Sequence, residues 1–255
     1  MRVAIVHDWL TGMRGGEFVL EPICRFLPDA PVFTLLHVPG SVSAAIESHP
    51  IRTSFVQRLP RAATRYRSYL PLFPLAIERL DLRGFDLVVS TSHCVAKGAI
   101  PAPGARHVCY SHTPVRYAWD RYEDYFGAGS GAGLLTRAVA SLVCHYLRVW
   151  DVASAPRVDR FVANSRCVAS RIARYYGRSS EVIHPPVDCA RFAVDPRGPE
   201  DYYLVVGASA PYKRVDHAID ACAALGRRLV IAGSGASEGA ERRKLERRAR
   251  RAGAR

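Results

Sequence analysis

The sequence predicts an α/β fold with a mostly parallel sheet covered by helices on both faces. Short apolar runs alternate with longer stretches that have apolar residues at helical spacing, and sheets of this kind bury both faces. A loop with three glycines follows the first run, and a lysine-containing turn lies between residues 202 and 216. Two strand-to-helix turns of this type indicate two α/β units around one ligand.

The first unit is predicted to span residues 1–184. The predicted strands are residues 2–7, 31–36, 87–90, 107–110, 160–163 and 182–184. The predicted helices are residues 16–27, 42–48, 66–82, 134–155 and 166–176. Asn164 or Ser165 is positioned to cap the last helix.

The stretch 64–82 is aromatic and amphipathic, and it contains Pro71 and Pro74. Such a segment can lie on a lipid surface. Because prolines interrupt a continuous interfacial helix, a helical hairpin packed on the sheet is favoured.

Residues 185–200 contain four prolines and are predicted to be a stiff connector between domains. A second unit, residues 201–255, follows with strands at 202–207 and 228–232, a helix at 215–225 and a last helix from about residue 238. Two strands cannot form a sheet that buries both faces, so this second domain is predicted to be truncated. The arginines of residues 242–255 are typical of a surface helix, with a nucleic-acid-binding tail as the alternative.

Composition limits the functional classes. The chain has 36 Lys and Arg against 23 Asp and Glu, a net charge of +13, which favours anionic partners. Its seven cysteines are scattered without Cys-x-x-Cys spacing, so neither a disulfide framework nor a zinc site is expected. No signal peptide or membrane span is recognisable, and we expect a cytoplasmic protein with at most peripheral membrane contact.

The two turns carry the candidate anion-binding residues. Gly15 and Gly16 let the backbone come close to a phosphate or to another ligand, although a tight turn without ligand is the alternative. Lys213 adds a full positive charge near the start of the helix at 215–225. Arg214 either reaches the same diphosphate or faces solvent.

Four segments together resemble the family 4 glycosyltransferases, near the bacterial mannosyltransferases of surface polysaccharide assembly. They are His-Asp-Trp-Leu-Thr-Gly-Met-Arg-Gly-Gly-Glu at 7–17, Tyr-Ser-His-Thr-Pro at 110–114, Phe-Val-Ala-Asn-Ser at 161–165 and Pro-Tyr-Lys-Arg at 211–214. The resemblance runs from residue 1 to about residue 240 in the expected order.

The resemblance implies a GT-B fold, with one complete Rossmann-like domain and an incomplete second one. It implies transfer of a hexose, with retention of configuration, from a nucleotide sugar to a saccharide or lipid-linked acceptor. GDP-mannose is the favoured donor and a UDP-hexose the next. No metal or other cofactor is expected, because helix N-termini and basic side chains neutralise the diphosphate, and no specific nucleic acid is expected.

The resemblance also assigns residues to roles. His112 follows a parallel strand at its carboxyl end, where open α/β sheets bind ligands, and is expected to hydrogen-bond the donor sugar. The donor diphosphate is assigned to Gly15, Gly16, Lys213 and Arg214. The acceptor side is assigned to Asp8, Trp9 and Arg14, although Arg14 is equally consistent with a solvated loop.

The chain departs from the family pattern in two places. The turn Gly207-Ala208-Ser209 lacks the arginine that many relatives carry. The family's donor-site glutamate pair is also missing, since Glu238, Glu241 and Glu246 lie in the wrong segment. We therefore expect the 255-residue chain to be weakly active or inactive.

Three other functional classes are alternatives for this sequence. An NAD-dependent oxidoreductase requires Gly-x-Gly-x-x-Gly after a strand, and Gly12, Gly15 and Gly16 do not have that spacing. A nucleotide-sugar epimerase would convert the donor without an acceptor. A non-catalytic basic module would bind anionic lipid or nucleic acid with steep salt dependence.

Overall fold

The computed structural model describes residues 1–126, 133–194, 196–207, 213–233 and 239–251. The chain divides into two units, Met1–Val187 and Asp188–Arg255, and the division falls within the predicted connector. The motif residues Pro211 and Tyr212, and the turn residues Ala208 and Ser209, lie outside the described residues.

A parallel sheet forms the centre of the first unit. Its strands, among the described residues, are β1 (Val3–His7), β2 (Val32–Thr34), β3 (Ile51–Thr53), β4 (Leu87–Ser92), β5 (Arg106–Ser111), β6 (Arg160–Ala163) and β7 (Ser180–Val182). Their order across the sheet is β3-β2-β1-β4-β5-β6-β7, and every neighbouring pair is parallel. The direction of strand addition reverses between β1 and β4, and ligands of doubly wound sheets bind at the carboxyl ends beside such a reversal.

The helices of the first unit lie between these strands. They are α1 (Gly15–Phe26), α2 (Ala44–Glu47), α3 (Ala62–Arg65), α4 (Phe73–Glu78), α5 (Tyr122–Phe126), α6 (Leu134–Ser154) and α7 (Arg166–Tyr176). Helix α7 has the bounds predicted from the sequence, and Ser165 rather than Asn164 caps it, because the Ser165 hydroxyl accepts the Val168 N–H. Gly177 ends α7 in a left-handed conformation, with φ of 62°.

Both faces of the sheet are buried. In β1, Ala4 and Val6 pack into one core cluster, and Ile5 packs into a second cluster. Since successive side chains of a strand point to opposite faces, the two clusters cover opposite sides of the sheet. This arrangement confirms the predicted α/β class for the first unit.

The structure differs from the predicted elements in several places, and helices α3 and α5 were not predicted. The predicted helix 66–82 is broken into a 3₁₀ helix, Tyr66–Leu72, and α4, because Pro71 and Pro74 disrupt helical hydrogen bonding. Tyr66, Phe73 and Ile77 of this segment lie in the core, as expected for a segment packed on the sheet. Strand β3 was not predicted, and β7 begins two residues earlier than predicted.

The second unit contains a parallel pair, β8 (Tyr203–Val206) and β9 (Leu229–Ala232), among its described residues. It also contains helices α8 (Val215–Ala224) and α9 (Gly239–Arg251), and Leu245 of α9 packs against Val215 and Ile219. The arginine-rich α9 is therefore a surface helix over the described part of its length.

The ends of β8 and β9 approach each other very closely. A Cβ on Gly233 would lie 1.8 Å from the carbonyl oxygen of Gly207. Only glycine fits at position 233, because the neighbouring group is backbone and cannot move aside.

In the first unit, the side chain of Trp150 leaves no room for a Cβ atom at Gly98. Gly98 ends the 3₁₀ helix Ala96–Gly98, and a Cβ there would lie 2.3 Å from the indole ring of Trp150 on α6. That indole donates to Glu78 Oε1 at 2.7 Å, and Arg157 donates to the same oxygen at 2.6 Å. The loop after β4 is thus held against α4 and α6 by close packing.

We expect Gly98→Ala to lower the free energy of unfolding by about 1–3 kcal/mol, because the methyl group displaces the Trp150 indole from Glu78. Urea unfolding at pH 7 measures the change. Gly15→Ala is the matched control, since a Cβ on Gly15 meets nothing within 4 Å. Equal stability of the two variants would contradict the packing described for Gly98.

Candidate functional site

Three histidines lie at the carboxyl edge of the sheet, on neighbouring strands. His7 is the last residue of β1, His93 follows β4, and His112 follows β5. The centroids of His7 and His93 are 6.1 Å apart, and those of His93 and His112 are 6.2 Å apart. This histidine cluster (His7, His93 and His112) therefore occupies the edge beside the reversal of strand order, where doubly wound sheets bind ligands.

The carboxylate of Asp8 holds the loop after β4 in place. Its two oxygens accept hydrogen bonds from four consecutive backbone N–H groups, at 2.7–2.9 Å. These N–H groups belong to His93, Cys94, Val95 and Ala96. Because the carboxylate is fully buried, these bonds replace its lost hydration.

Asp8 also contacts the side chain of His93, with 3.1 Å between Oδ2 and Nδ1. Burial acts to raise the pKa of Asp8, but electrostatic interactions with the His93 and His7 side chains and the backbone hydrogen bonds hold it below its ordinary value. Asp8 is thus an ionised carboxylate that positions the His93 ring.

His7 and Glu17 form a second buried pair. His7 Nδ1 is hydrogen-bonded to the hydroxyl of Thr91, and His7 Nε2 lies 3.7 Å from Glu17 Oε1. Glu17 is in the first turn of α1 and accepts the backbone N–H of Arg14 at 3.0 Å. Burial acts to raise the pKa of Glu17, but the interaction with His7 lowers it below the ordinary value.

The other two imidazoles are uncharged at neutral pH. Burial, reinforced by the neighbouring His93 and His7, lowers the pKa of His112 to about 3. Burial also lowers the pKa of His93, although Asp8 opposes the change. Within the described structure, the buried Nε2 atoms of His7 and His112 have no hydrogen-bond partner. His93 and His112 therefore present neutral hydrogen-bonding groups rather than positive charge.

The backbone at the start of α1 lies directly against the histidine cluster. A Cβ on Gly16 would be 3.4 Å from His7 Cε1, 3.8 Å from His112 Nε2 and 3.8 Å from His93 Nδ1. The same atom on Gly15 would meet nothing within 4 Å. Of the two glycines, Gly16 is the one whose missing side chain leaves space between the rings.

Two further sets of contacts hold the loops that follow β4 and β5, which carry His93 and His112. The ammonium of Lys97 is buried and donates to the Asp151 carbonyl and the Ser154 hydroxyl of α6, each at 2.6 Å, and it lies 3.1 Å from Asp151 Oδ1. The side-chain amide of Asn164 donates to the His112 carbonyl at 3.0 Å. Both loops are therefore attached to helices or strands rather than left to solvent.

The residues assigned to the acceptor side lie in different environments. Asp8 has no exposed surface, so its carboxylate is not accessible for the contact that the resemblance implied. Trp9 lies in the core beside Tyr66 and Phe73. Its ring and that of His93 form a T-shaped contact, with 4.5 Å between the ring centroids. Arg14 is exposed immediately before α1.

Lys213 and Arg214 lie immediately before α8 in the second unit, and both are exposed. Arg214 has a left-handed backbone conformation, with φ of 51°, and its guanidinium donates to both carboxylate oxygens of Asp216 at 3.1 Å. The structure thus assigns Arg214 an ion pair within its own turn.

His93 was missed by sequence reasoning, and His7 and Glu17 were noted only as parts of a motif. A signal was present, because His7, His93 and His112 each end or follow a predicted strand. In a parallel sheet such positions meet at one edge, which makes repeated histidines there informative.

Among the described residues, the His, Cys, Asp and Glu side chains form no group of three or more arranged to hold a metal ion. In the same part of the chain, we find no helix with the length and apolar character needed to cross a membrane.

We expect Asp8→Asn to lower the free energy of unfolding at pH 7 by about 2–4 kcal/mol, because an amide cannot accept all four backbone N–H groups. The folded-state pKa of Asp8 lies below that of the unfolded chain. Its contribution is therefore present above about pH 4 and is lost as the pH falls through the folded pKa. The difference between wild type and variant should shrink at low pH.

Urea unfolding at pH 7 and below pH 4 checks this expectation. Asp81→Asn is the control, since Asp81 is exposed and pairs with Arg83 at the surface. A pH-independent difference for Asp8→Asn would be inconsistent with an ionised Asp8.

A family model described as Glycosyltransferase Family 4 matches residues 13–191. Two crystal structures of Anabaena HepE are similar to the chain at 14% identity. For the complex with UDP the TM-score is 0.60, and the match covers 99% of this chain and 66% of the HepE chain. For the complex with UDP and glucose the TM-score is 0.56, and the match covers 99% of this chain and 67% of the HepE chain. AviGT4, a glycosyltransferase involved in avilamycin A biosynthesis, matches at 20% identity with a TM-score of 0.48, covering 99% and 62%. A search of curated proteins found no match.

The chain spans about two thirds of the length of these solved structures. At 14% identity the likeness to HepE concerns the fold alone, and it confirms the predicted α/β class of GT-B type. The family model covers well over half of the chain, including α1, β5 and His112. The chain belongs to glycosyltransferase family 4.

Proposed function

We propose that the protein transfers a hexose from a nucleotide sugar to a hydroxyl group of an acceptor. The observation that carries this proposal is the meeting of Gly16 and His112, with 3.8 Å between the Cβ position of Gly16 and His112 Nε2. These residues are 96 positions apart in the chain and come from separate family motifs. Their meeting at the ligand-binding edge of the sheet supports one site built from both.

In this proposal different residues of the chain match different chemical groups of the donor. The sugar lies against the histidine cluster, where neutral imidazoles match uncharged hydroxyl groups. The diphosphate lies at the start of α8, where Lys213, Arg214 and unpaired N–H groups of the helix match its negative charge. The start of α1 approaches the donor at Gly16, because the Cβ position of Gly16 faces the histidine cluster.

The reaction forms a bond between the acceptor oxygen and the anomeric carbon and breaks the bond from that carbon to the diphosphate. The leaving diphosphate gains a negative charge and takes up the proton of the acceptor hydroxyl. Basic side chains and helix N-termini stabilise that charge, so no metal ion is required. Transfer on the same face of the sugar gives retention of configuration.

The donor is proposed to be GDP-mannose, with a UDP-hexose as the second candidate. Mannose is favoured by the resemblance to bacterial polysaccharide mannosyltransferases, whereas the HepE structures contain UDP or UDP and glucose. The proposed acceptor is a saccharide or a lipid-linked saccharide at the inner face of the membrane. Positive charge would favour an anionic lipid surface.

Calorimetry with GDP and UDP tests the proposal. We expect binding in the presence of EDTA, with GDP preferred, and we expect Lys213→Gln to weaken it about tenfold because a charge-assisted contact to phosphate is lost. Lys244→Gln is the matched control, because Lys244 is exposed on α9. Absence of binding to either nucleotide would contradict the proposal. A preference for UDP would change only the proposed donor, from GDP-mannose to a UDP-hexose.

Replacement of Gly15 and of Gly16 by alanine distinguishes a ligand-binding role from a purely structural role of this turn. We expect Gly16→Ala to weaken binding of the nucleotide sugar by about tenfold, because the methyl group fills space between His93 and His112. Gly15→Ala should bind like wild type, since no atom lies within 4 Å of its Cβ position. Calorimetry with GDP-mannose and UDP-glucose measures both variants, and equal affinities would show that the ligand does not approach Gly16.

A further inference from the structure

We propose that His93 is a second sugar-binding residue, which hydrogen-bonds a hydroxyl group of the same hexose as His112. The inference rests on the proposed function and adds to it a residue that the family motifs did not assign.

The position of His93 favours contact with the ligand that His112 binds. The two residues follow adjacent parallel strands, β4 and β5, and their ring centroids are 6.2 Å apart. His93 Nδ1 and His112 Nε2 are each 3.8 Å from the Cβ position of Gly16. One pyranose ring with its hydroxyl groups is large enough to reach both imidazoles.

The orientation of the His93 ring is fixed by its neighbours. Asp8 Oδ2 lies 3.1 Å from Nδ1, and the edge of the ring contacts Trp9 at a centroid distance of 4.5 Å. An ionised carboxylate beside Nδ1 favours the tautomer that carries its proton there. Nε2 is then the hydrogen-bond acceptor that a sugar hydroxyl requires.

Accessibility distinguishes His93 from His7. Its side chain is 29% exposed, whereas His7 is fully buried. A histidine that served only to satisfy Asp8 would need no exposed surface, because Asp8 already accepts four backbone N–H groups. The exposed part of the ring is available to a ligand.

The charge around His93 favours a hydroxyl group over a phosphate. Burial lowers the pKa of His93, and the two nearby carboxylates, Asp8 and Glu17, carry negative charge. The positively charged Arg14 also lies near His93, but it is exposed to solvent, so it only weakly offsets the buried carboxylates that a phosphate would meet. An uncharged sugar ring meets no such penalty.

The test compares each sugar nucleotide with its free nucleotide. Calorimetry is carried out on the 255-residue chain with GDP-mannose, GDP, UDP-glucose and UDP. We expect His93→Ala to weaken binding of the preferred sugar nucleotide about three- to tenfold, the effect of one hydrogen bond, and to leave the free nucleotide unchanged. His93→Gln should restore part of the affinity, because its amide can accept the same hydrogen bond.

His145→Ala is the matched control, since His145 is exposed on α6 and outside the histidine cluster. Equal weakening of sugar nucleotide and free nucleotide by His93→Ala, or no weakening of either, overturns the role of His93 while leaving the proposed function intact. Failure of the wild-type chain to bind any of the four compounds overturns both.

A second measurement needs no variant. Nitrogen-15 spectra of the histidine side chains should show a change at His93 Nε2 with the sugar nucleotide and a smaller change with the free nucleotide. Identical spectra with the two ligands overturn the proposal even if the His93 variants do not fold.

Discussion

The carboxylate of Asp8 is the constraint on which the candidate site depends. It follows β1 directly, and its four hydrogen bonds fix the backbone that follows β4. Because an ionised group in the interior is stable only when its hydrogen bonds are satisfied, this backbone has little freedom to move. His93 is held by the same carboxylate, so the anchor of the loop also orients a ring of the histidine cluster.

Charge is distributed unevenly over this basic chain. The net charge is +13, yet the histidine cluster contacts two buried carboxylates, Asp8 and Glu17, and its members His93 and His112 are neutral at pH 7. Exposed cationic side chains occur at the start of α8 in the second unit. The net charge of the whole chain therefore does not describe the local charge at the histidine cluster.

The sequence predicts those features that depend on local pattern. Helix α7 and its cap follow from apolar spacing and Ser165, and the break in residues 66–82 follows from Pro71 and Pro74. Strand β3 has no alternating apolar residues and forms only through its partner β2. The role of Asp8 was not predictable in the same way, because its partners are backbone N–H groups 85–88 residues away, which carry no side-chain signature.

The buried ammonium of Lys97 has a practical consequence for solution studies. The chain contains three lysines, and Lys213 and Lys244 are exposed whereas Lys97 is enclosed by α6 and Tyr176. Amine-directed reagents therefore reach Lys97 only when α6 separates from the sheet. Acylation at this single position reports local opening of the first unit, independently of any ligand or enzymatic assay.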